Sequence, residues 1–383
     1  MRPALAILAL LTSANVAGAL DYTCPSDPGF CYFDVAGDGC FDAGTDTGPI
    51  DADLEAGTYP PVGPPSPGSI VCPPNADTLN VPAPIDWETA NGGSILLHKT
   101  RVITTDPITM SSGAALFVGG KVTGFAATLQ AEGDLTIAGS VILPKLGTSE
   151  IRLTTVSGEL VLGPRSKVQG FDIEIEAQNG GPITVLDKAT VDDAPAGSEV
   201  SLRTEFTTTG PVTMTNPRIR SGPGFRFNVG SLEVLGAMDL QTRGAAGGPS
   251  EINSSGAIEI DAVKWKLGGD AETVVSAPSI EIGRPDSSGR VRTSKITLVG
   301  MLEIESTGEL DLERVKLVAS GFANVSLALE AGTDLAIREG VFASKRVLAP
   351  LTISSGPGGT CDLTDTDIVG FDLMTSCGTI VGP

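Results

Sequence analysis

One short phrase recurs along most of the chain: a small residue, usually glycine, followed by a segment whose apolar residues occupy alternate positions. The phrases begin at Gly133, Gly158, Gly181, Gly210, Gly236, Gly256, Pro278, Gly300, Thr333 and Gly359. The shortest step separates Gly236 from Gly256 and the longest separates Gly300 from Thr333, a range typical of solenoid repeats. Because apolar residues recur at every second position, the phrase predicts strands and disfavours helical repeats.

The composition agrees with many short strands joined by tight turns. The chain has 383 residues, of which 48 are glycine and only 4% are aromatic, so it is poorly suited to one large globular core. A solenoid instead grows by adding units, and length alone does not count its domains. The net charge of −21 disfavours nucleic acid and anionic lipid as partners, because few basic residues are present to neutralise phosphates.

The first residues have the pattern of a secretory signal peptide. Arg2 supplies a positive charge, residues 4–11 are apolar, and residues 17–19 are small. We therefore predict a signal peptide over residues 1–19. The apolar run is too short to span a membrane, and no other apolar stretch of about 18 residues is present. The protein is expected to be secreted or held at the cell surface, with the periplasm as a further compatible location.

The cysteines lie near the two ends of the chain. They are Cys24, Cys31, Cys40, Cys72, Cys361 and Cys377. In an exported protein we expect all six to form disulfides, with three pairings open to the first four. Residues 20–90 are rich in cysteine, proline and aspartate, and we interpret them as an irregular cap on the N-terminal end of a solenoid formed by residues 91–383.

Each period has room for two or three short strands, so one period predicts one coil. Stacked coils would pair as parallel sheets, with residues such as Leu135 and Ile137 in apolar columns inside and Glu159 and Glu303 outside. An array of antiparallel sandwiches is the alternative, but the steps are short for complete sandwich domains.

With these phrases across roughly residues 93–383, the chain resembles the right-handed parallel β-helix class of secreted bacterial proteins, the pectin-lyase-like architecture. The resemblance implies an all-β, single-stranded, right-handed parallel β-helix solenoid of about ten coils with a disulfide-bearing N-terminal cap. That class includes polysaccharide lyases and hydrolases, adhesin and autotransporter passengers, and structural surface proteins. Function must therefore come from a site.

The densest group of carboxylates lies in the N-terminal segment. Asp34, Asp38, Asp42 and Asp46 alternate with glycines, and closely spaced carboxylates can wrap oxygen ligands around Ca²⁺. The spacing matches an EF-hand loop only in part. A calcium site and a solvated Asp/Gly turn are the two interpretations.

Two segments resemble those of the polygalacturonase type of β-helix enzyme, in which aspartates act as acid and base. They are Asp192-Asp193 and Arg218-Ile-Arg220; the Asn-Thr-Asp and Gly-His-Gly segments of that type are missing, and the single histidine, His98, lies in an unrelated context. We interpret Asp192-Asp193 as a turn. Asn216 to Arg220, with Arg203 and Arg226, faintly resembles the basic strands of pectate lyases.

No residue is assigned a catalytic role, and two functional hypotheses follow. The first is an exported, non-enzymatic structural or adhesive module, whose partners would be polysaccharide or cell-surface components. The second is a carbohydrate-active enzyme, a lyase or glycoside hydrolase, that uses carboxylates on an outward sheet. Charged side chains meeting in one groove would favour the enzyme, and scattered acids would favour the module.

Overall fold

A computed structural model describes residues 84–382, except for ten gaps, together with the backbone of three short segments before them. The gaps are residues 90–92, 98, 145–148, 194–203, 223, 243–248, 269–271, 286–288, 322–324 and 346–347, and the three segments are residues 32–34, 69–72 and 78–80. Within this part of the chain the structure is all-β, and its one helical element is a 3-10 turn at Gln178–Gly180. No helix among these residues is long and apolar enough to cross a membrane.

The strands form a parallel β-solenoid with three faces, which we name sheets 1, 2 and 3 in the order in which each coil visits them. Sheet 1 contains Ser69–Cys72, Ile95–Leu97, Leu116–Val118, Leu135–Ile137, Leu160–Leu162, Ile183–Val185, Pro211–Thr215, the first parts of Ser231–Thr242 and Ile258–Leu267, Ile280–Ile282, Leu310–Glu313, Leu335–Arg338, Thr360–Asp362 and Thr379–Val381. Sheet 2 contains Thr78–Asn80, Arg101–Ile103, Lys121–Thr123, Ser140–Ile142, Lys167–Gln169, Thr190–Asp192, Arg218–Ser221, the second parts of Ser231–Thr242 and Ile258–Leu267, Ser294–Leu298, Val315–Ala319, Val341–Ser344 and Asp367–Val369.

Sheet 3 stacks 13 strands in one parallel ladder. They are Ile85–Glu88, Ile108–Ser112, Ala127–Ala131, Glu150–Thr155, Asp172–Ala177, Thr204–Thr207, Phe225–Val229, Ser250–Ser254, Glu272–Ala277, Met301–Ser306, Ser326–Ala331, Ala349–Ser354 and Phe371–Ser376. The predicted β-helix architecture is confirmed. The described stack has more coils than the ten or so predicted, because several coils precede Gly133, where the first recognised phrase begins.

The core consists of columns that run through successive coils. Leu135, Leu160 and Ile183 pair in register on adjacent strands of sheet 1, and all three side chains are fully buried. On the strands of Leu135 and Leu160 the next residues, Thr136 and Val161, are partly exposed, as the alternating pattern predicts, whereas Thr184 beside Ile183 is buried. Since every coil adds one residue to each column, the apolar core is continuous along the solenoid.

The glycine that opens many phrases lies at the turn from sheet 3 into sheet 1, where successive coils approach closely. A Cβ atom on Gly210 would lie 2.2 Å from the carbonyl oxygen of Gly180, and one on Gly181 would lie 2.4 Å from the carbonyl oxygen of Gly158. Backbone of the preceding coil therefore occupies the space that a side chain would need. This contact explains why a glycine recurs before the strand.

Gly210→Ala is expected to destabilise the protein by about 1–3 kcal/mol, because the added methyl group must displace backbone rather than a flexible side chain. The measurement is the midpoint of urea unfolding. Gly289→Asn is the matched control: its Cβ meets no atom within 4 Å, and asparagine tolerates the φ of 75° at that turn. Equal midpoints for the two variants would contradict the steric explanation.

The C-terminal end carries a disulfide between Cys361 and Cys377, whose Cα atoms lie 5.9 Å apart. It links Cys361, in the sheet 1 strand Thr360–Asp362, to Cys377, which follows the last strand of sheet 3, and this confirms the expected bridge at this end. Cys24, Cys31 and Cys40 lie outside the described residues, and only the backbone of Cys72 is described. The disulfide-bearing N-terminal cap therefore remains a prediction.

Candidate functional site

Three glutamates converge on the outer face of sheet 3, and we name them the Glu303 cluster: Glu303, Glu305 and Glu330. Glu303 and Glu305 are outward residues of Met301–Ser306, whose inward residues are buried. Glu330 lies on the next strand, in register with Glu305. One carboxylate oxygen from each of the three lies within 4.8 Å of the others.

The electrostatics of the cluster favour a shared proton or a cation. Partial burial raises the pKa of the Glu303 carboxyl, and the negative charges of Glu305, Glu330 and Glu272 raise it further. Carboxylate oxygens in such a group suit a hard cation such as Ca²⁺. A protonated carboxyl beside an ionised one is also the arrangement used for acid and base catalysis on glycosides.

The sequence pattern predicts that Glu303 points outward, but it does not predict that Glu303, Glu305 and Glu330 lie close together. The Glu303-x-Glu305 spacing alone places two carboxylates on one face. Glu330 joins them only through the pairing of the coils, and this pairing falls within the longest step of the repeat, between Gly300 and Thr333.

Glu305→Gln is expected to stabilise the protein by several tenths of a kcal/mol to about 1 kcal/mol, because it removes repulsion between like charges on neighbouring strands. The check is the thermal midpoint at low and at high salt, where screening should shrink the gain. Glu309→Gln is the control, since Glu309 is exposed and lies outside the cluster. A gain that is equal in both variants would point to net charge rather than to the cluster.

A second charged group lies on the outer face of sheet 1. The Arg284 guanidinium donates to Glu233 at 3.0 Å, to Asp261 at 3.3 Å and to Glu259. Glu233 and Glu259 are in register on adjacent strands, so one arginine links carboxylates from successive coils. Asp261 is buried and also accepts a hydrogen bond from the backbone N–H of Gly236 at 2.8 Å. The group acts as a clamp between coils.

The two segments that resemble the polygalacturonase pattern lie side by side on sheet 2. Asp192 is in register with Arg220, and Thr190 with Arg218. The two carboxylates, however, are enclosed: Asp192 is 8% exposed and Asp193 is fully buried. Asp192 ends a strand, and residues 194–203, which would complete the expected turn, lie outside the described part of the chain.

Asp193 binds groups from two neighbouring coils. One carboxylate oxygen accepts from the Thr204 and Ser221 hydroxyls, each at 2.8 Å, and the other accepts from the backbone N–H of Gly222 at 2.7 Å. Burial raises the pKa of Asp193 to about 7, although these three hydrogen bonds lower it and the adjacent Asp192 raises it. The side chain is thus a structural link whose charge is costly.

Among the residues that resemble pectate-lyase strands, Arg226 and Asn216 contact acids. Arg226 pairs with Glu251 at 3.1 Å and with Glu205 at 3.8 Å. The Asn216 amide donates to Asp187 at 2.9 Å and accepts from the backbone of Ala237. Arg203 lies outside the described residues. Of the described basic side chains of this group, Arg226 therefore compensates local acids, whereas the Nε atom of Arg220 is buried without a hydrogen-bond partner.

The candidate calcium residues cannot be placed. Asp38, Asp42 and Asp46 lie outside the described residues, and Asp34 is described only as the backbone end of Tyr32–Asp34. His98 also lies outside. The calcium site at these aspartates stays a prediction.

No protein-family model, curated protein or solved structure matches this chain. The function must be argued from the fold and from the residues described above.

Proposed function

We propose that the protein is an exported, non-enzymatic β-solenoid that serves as a structural or adhesive module at the cell surface or outside the cell. The observation that carries this proposal is the state of Asp192 and Asp193. These residues belong to the segments that most resemble a β-helix enzyme, yet the structure buries both carboxylates and uses Asp193 to hold its own coils together. A carboxylate enclosed in this way does not reach a polysaccharide.

The pairing of outward charges across coils supports the same role. Arg152 pairs with Glu174 at 2.8 Å, and Arg338 pairs with Asp311 at 3.0 Å and with Asp362 at 3.5 Å. Each pair joins neighbouring coils and is worth about 1 kcal/mol or less on an exposed face. These ion pairs, like the Arg284 clamp, link neighbouring coils, and they are spread along the solenoid rather than gathered around one groove.

Export is supported by the predicted signal peptide over residues 1–19 and by the Cys361–Cys377 disulfide, which suits an oxidising compartment. In that setting the outer sheets would contact polysaccharide or other cell-surface components. The strongly acidic chain makes nucleic acid an unsuitable partner.

The test combines localisation with a search for turnover. The chain is expressed with its own residues 1–19 in a secreting bacterial host, and we expect the mature protein outside the cytoplasm, lacking that segment by N-terminal sequencing. Purified protein is then incubated with a panel of acidic and neutral polysaccharides. Binding without release of reducing or unsaturated sugar supports the module; cytoplasmic retention or sugar release would overturn it.

The alternative is a carbohydrate-active enzyme, and the Glu303 cluster is the observation that favours it. Its support is that carboxyl groups of Glu303, Glu305 and Glu330 lie close together on an outer face, with the pKa of Glu303 raised, and glycoside hydrolysis uses a pair of carboxyl groups. If sugar release is found, Glu303→Gln and Glu330→Gln should each abolish it, whereas Glu309→Gln should not. Unchanged turnover in the two cluster variants would exclude this site.

A further inference from the structure

The outer face of sheet 2 carries a row of positive charge that runs through ten successive coils. One outward position of each strand pairs in register with that of the next, from Arg101 to Lys316. Seven of the ten positions are basic, and we name them the basic stripe: Arg101, Lys121, Lys167, Arg218, Lys264, Lys295 and Lys316. The remaining three are Ser140, Thr190 and Asp239, so the row contains a single acid.

The basic stripe contrasts with the composition of the chain and with the equivalent row on sheet 1. The protein has 46 acidic and 25 basic residues. On sheet 1 the in-register row of ten outward positions from Thr136 to Asp362 contains five acids and no base. The acids are Glu233, Glu259, Glu281, Asp311 and Asp362. Bases and acids are therefore segregated onto different faces of the solenoid.

The bases of the stripe are exposed or partly exposed, and none forms an ion pair in the part of the chain that the structure describes. Arginines elsewhere are engaged. Arg284 and Arg338 bind acids of the sheet 1 row, and Arg152 and Arg226 bind acids on sheet 3. Those arginines compensate the protein's own acids, whereas the positive charge of the stripe is available to an external anion.

The fold sets the spacing of the stripe. Neighbouring strands of a parallel sheet lie about 4.8 Å apart, so nine steps between ten coils give a row about 43 Å long. In a linear polyuronate each sugar ring carries one carboxylate, and an extended chain advances by a similar distance for each ring. One ring per coil places the carboxylates of such a chain beside the bases of the stripe.

We propose that the basic stripe binds a linear acidic polysaccharide, which lies along the solenoid on the outer face of sheet 2. The proposal rests on the proposed function, because it names the class of glycan that an exported module would hold. Repulsion from acids on the other faces is short-ranged, since the screening length at physiological ionic strength is about 8 Å.

Two other occupants fit the stripe less well. A nucleic acid strand spaces its phosphates at about 3.4 Å, closer than the coils. Sites for single strands also combine basic grooves with aromatic platforms, and no outward position of the described sheet 2 strands holds an aromatic residue. A second copy of this chain would have to offer the acids of the sheet 1 row, four of which already bind Arg284 or Arg338.

The first test is the affinity of the full mature chain for alginate oligomers, which are linear polyuronates, measured by calorimetry with neutral dextran as the uncharged probe. We expect binding to alginate alone, weakened by added salt. Lys264→Gln combined with Lys295→Gln should lose about tenfold or more in affinity, because it removes two adjacent bases. The matched control is Arg152→Gln combined with Arg338→Gln, which removes the same charge from sheets 3 and 1 and should bind as the wild type does.

Several outcomes of this first test would overturn the proposal. They are equal binding of alginate and dextran, no binding of alginate, and equal losses in the two double variants. Tighter binding of single-stranded DNA than of alginate would assign the stripe to nucleic acid instead. Self-association in sedimentation that the Lys264 and Lys295 changes abolish would assign it to a second copy.

The second test does not depend on losing affinity. Asp239 is the acid that interrupts the stripe between Arg218 and Lys264. Asp239→Asn should raise the affinity for alginate severalfold, whereas Asp86→Asn, which removes an exposed acid from sheet 3, should leave it unchanged. Equal affinities of these two variants would contradict the proposal. The stripe and the proposed function can fail separately: sugar release would refute the non-enzymatic module without affecting binding, and binding that ignores the stripe would refute only the stripe.

Discussion

Asp193→Asn is expected to remove the loss of stability that the Asp193 carboxyl causes as the pH rises from about 4 to about 7. The pKa of Asp193 is raised from 3.8 to about 7, mainly because the carboxylate is buried. Asparagine has nearly the same shape and does not titrate. The difference between the two proteins therefore isolates this one proton.

The direction follows from the raised pKa. Between the unfolded value of 3.8 and the folded value of about 7, the folded state binds a proton that the unfolded state has released. The contribution of Asp193 to stability is therefore fully present below this window and is lost as the pH rises through it. Three pKa units correspond to roughly 4 kcal/mol, at about 1.4 kcal/mol for each unit.

The hydrogen bonds show why a neutral side chain fits better. The Ser221 hydroxyl contacts both Asp193 and the carbonyl oxygen of Gly224, but it has one hydrogen to donate. A protonated Asp193 can donate to Ser221, whose hydrogen then goes to Gly224. The asparagine amide supplies a donor at the same position, where the Thr204 hydroxyl must then accept instead of donate, and the amide oxygen still accepts from the backbone N–H of Gly222. The variant should consequently be at least as stable as wild type at neutral pH.

The measurement is the free energy of urea unfolding at several pH values from mildly acidic to mildly basic. Asp86→Asn is the matched control, because Asp86 is exposed on an outer strand, and its pH profile should follow the wild type. Glu339 and Asp362, whose pKa values are lowered, contribute equally to all three proteins and cancel. A Asp193→Asn profile parallel to the wild type would contradict the assignment.

Much of the fold could be predicted because its rules are local. Alternation of apolar residues identifies columns such as Leu160 and Leu162, which are fully buried, and outward acids such as Glu159. The glycine that opens many of the phrases, such as Gly181 or Gly210, marks the turn where a preceding carbonyl leaves no room for a side chain. Both signals lie within a few residues of sequence.

The chemistry of the outer faces and of Asp193 could not be predicted in the same way. Ser221, which donates a hydrogen bond to Asp193, is 28 residues away in the sequence. The alignment of Glu305 with Glu330 falls within the longest step of the repeat. Insertions of different length between coils shift such pairings without disturbing the alternation. The sequence therefore does not reveal the register between coils. Without that register, Asp192-Asp193 resembles an exposed turn, although the strand pairing buries both residues.

Phe227→Ala is expected to be among the most destabilising single changes, at about 3–5 kcal/mol. Phe227 is fully buried in sheet 3 and stacks on Phe206 of the preceding coil, with ring centroids 4.7 Å apart. This distance equals the usual spacing of paired strands, so the parallel register itself stacks the rings. Phe225 adds an edge contact at 5.8 Å. Alanine leaves a cavity that the stacked coils on both sides cannot close.

The control is Phe227→Leu, which keeps most of the side-chain volume and should lose far less stability. Urea unfolding gives the energies, and hydrogen exchange should show the largest loss of protection in the strands Thr204–Thr207 and Ser250–Ser254, which flank Phe225–Val229. Similar losses in the two variants would mean that the rings are not packed as a stack.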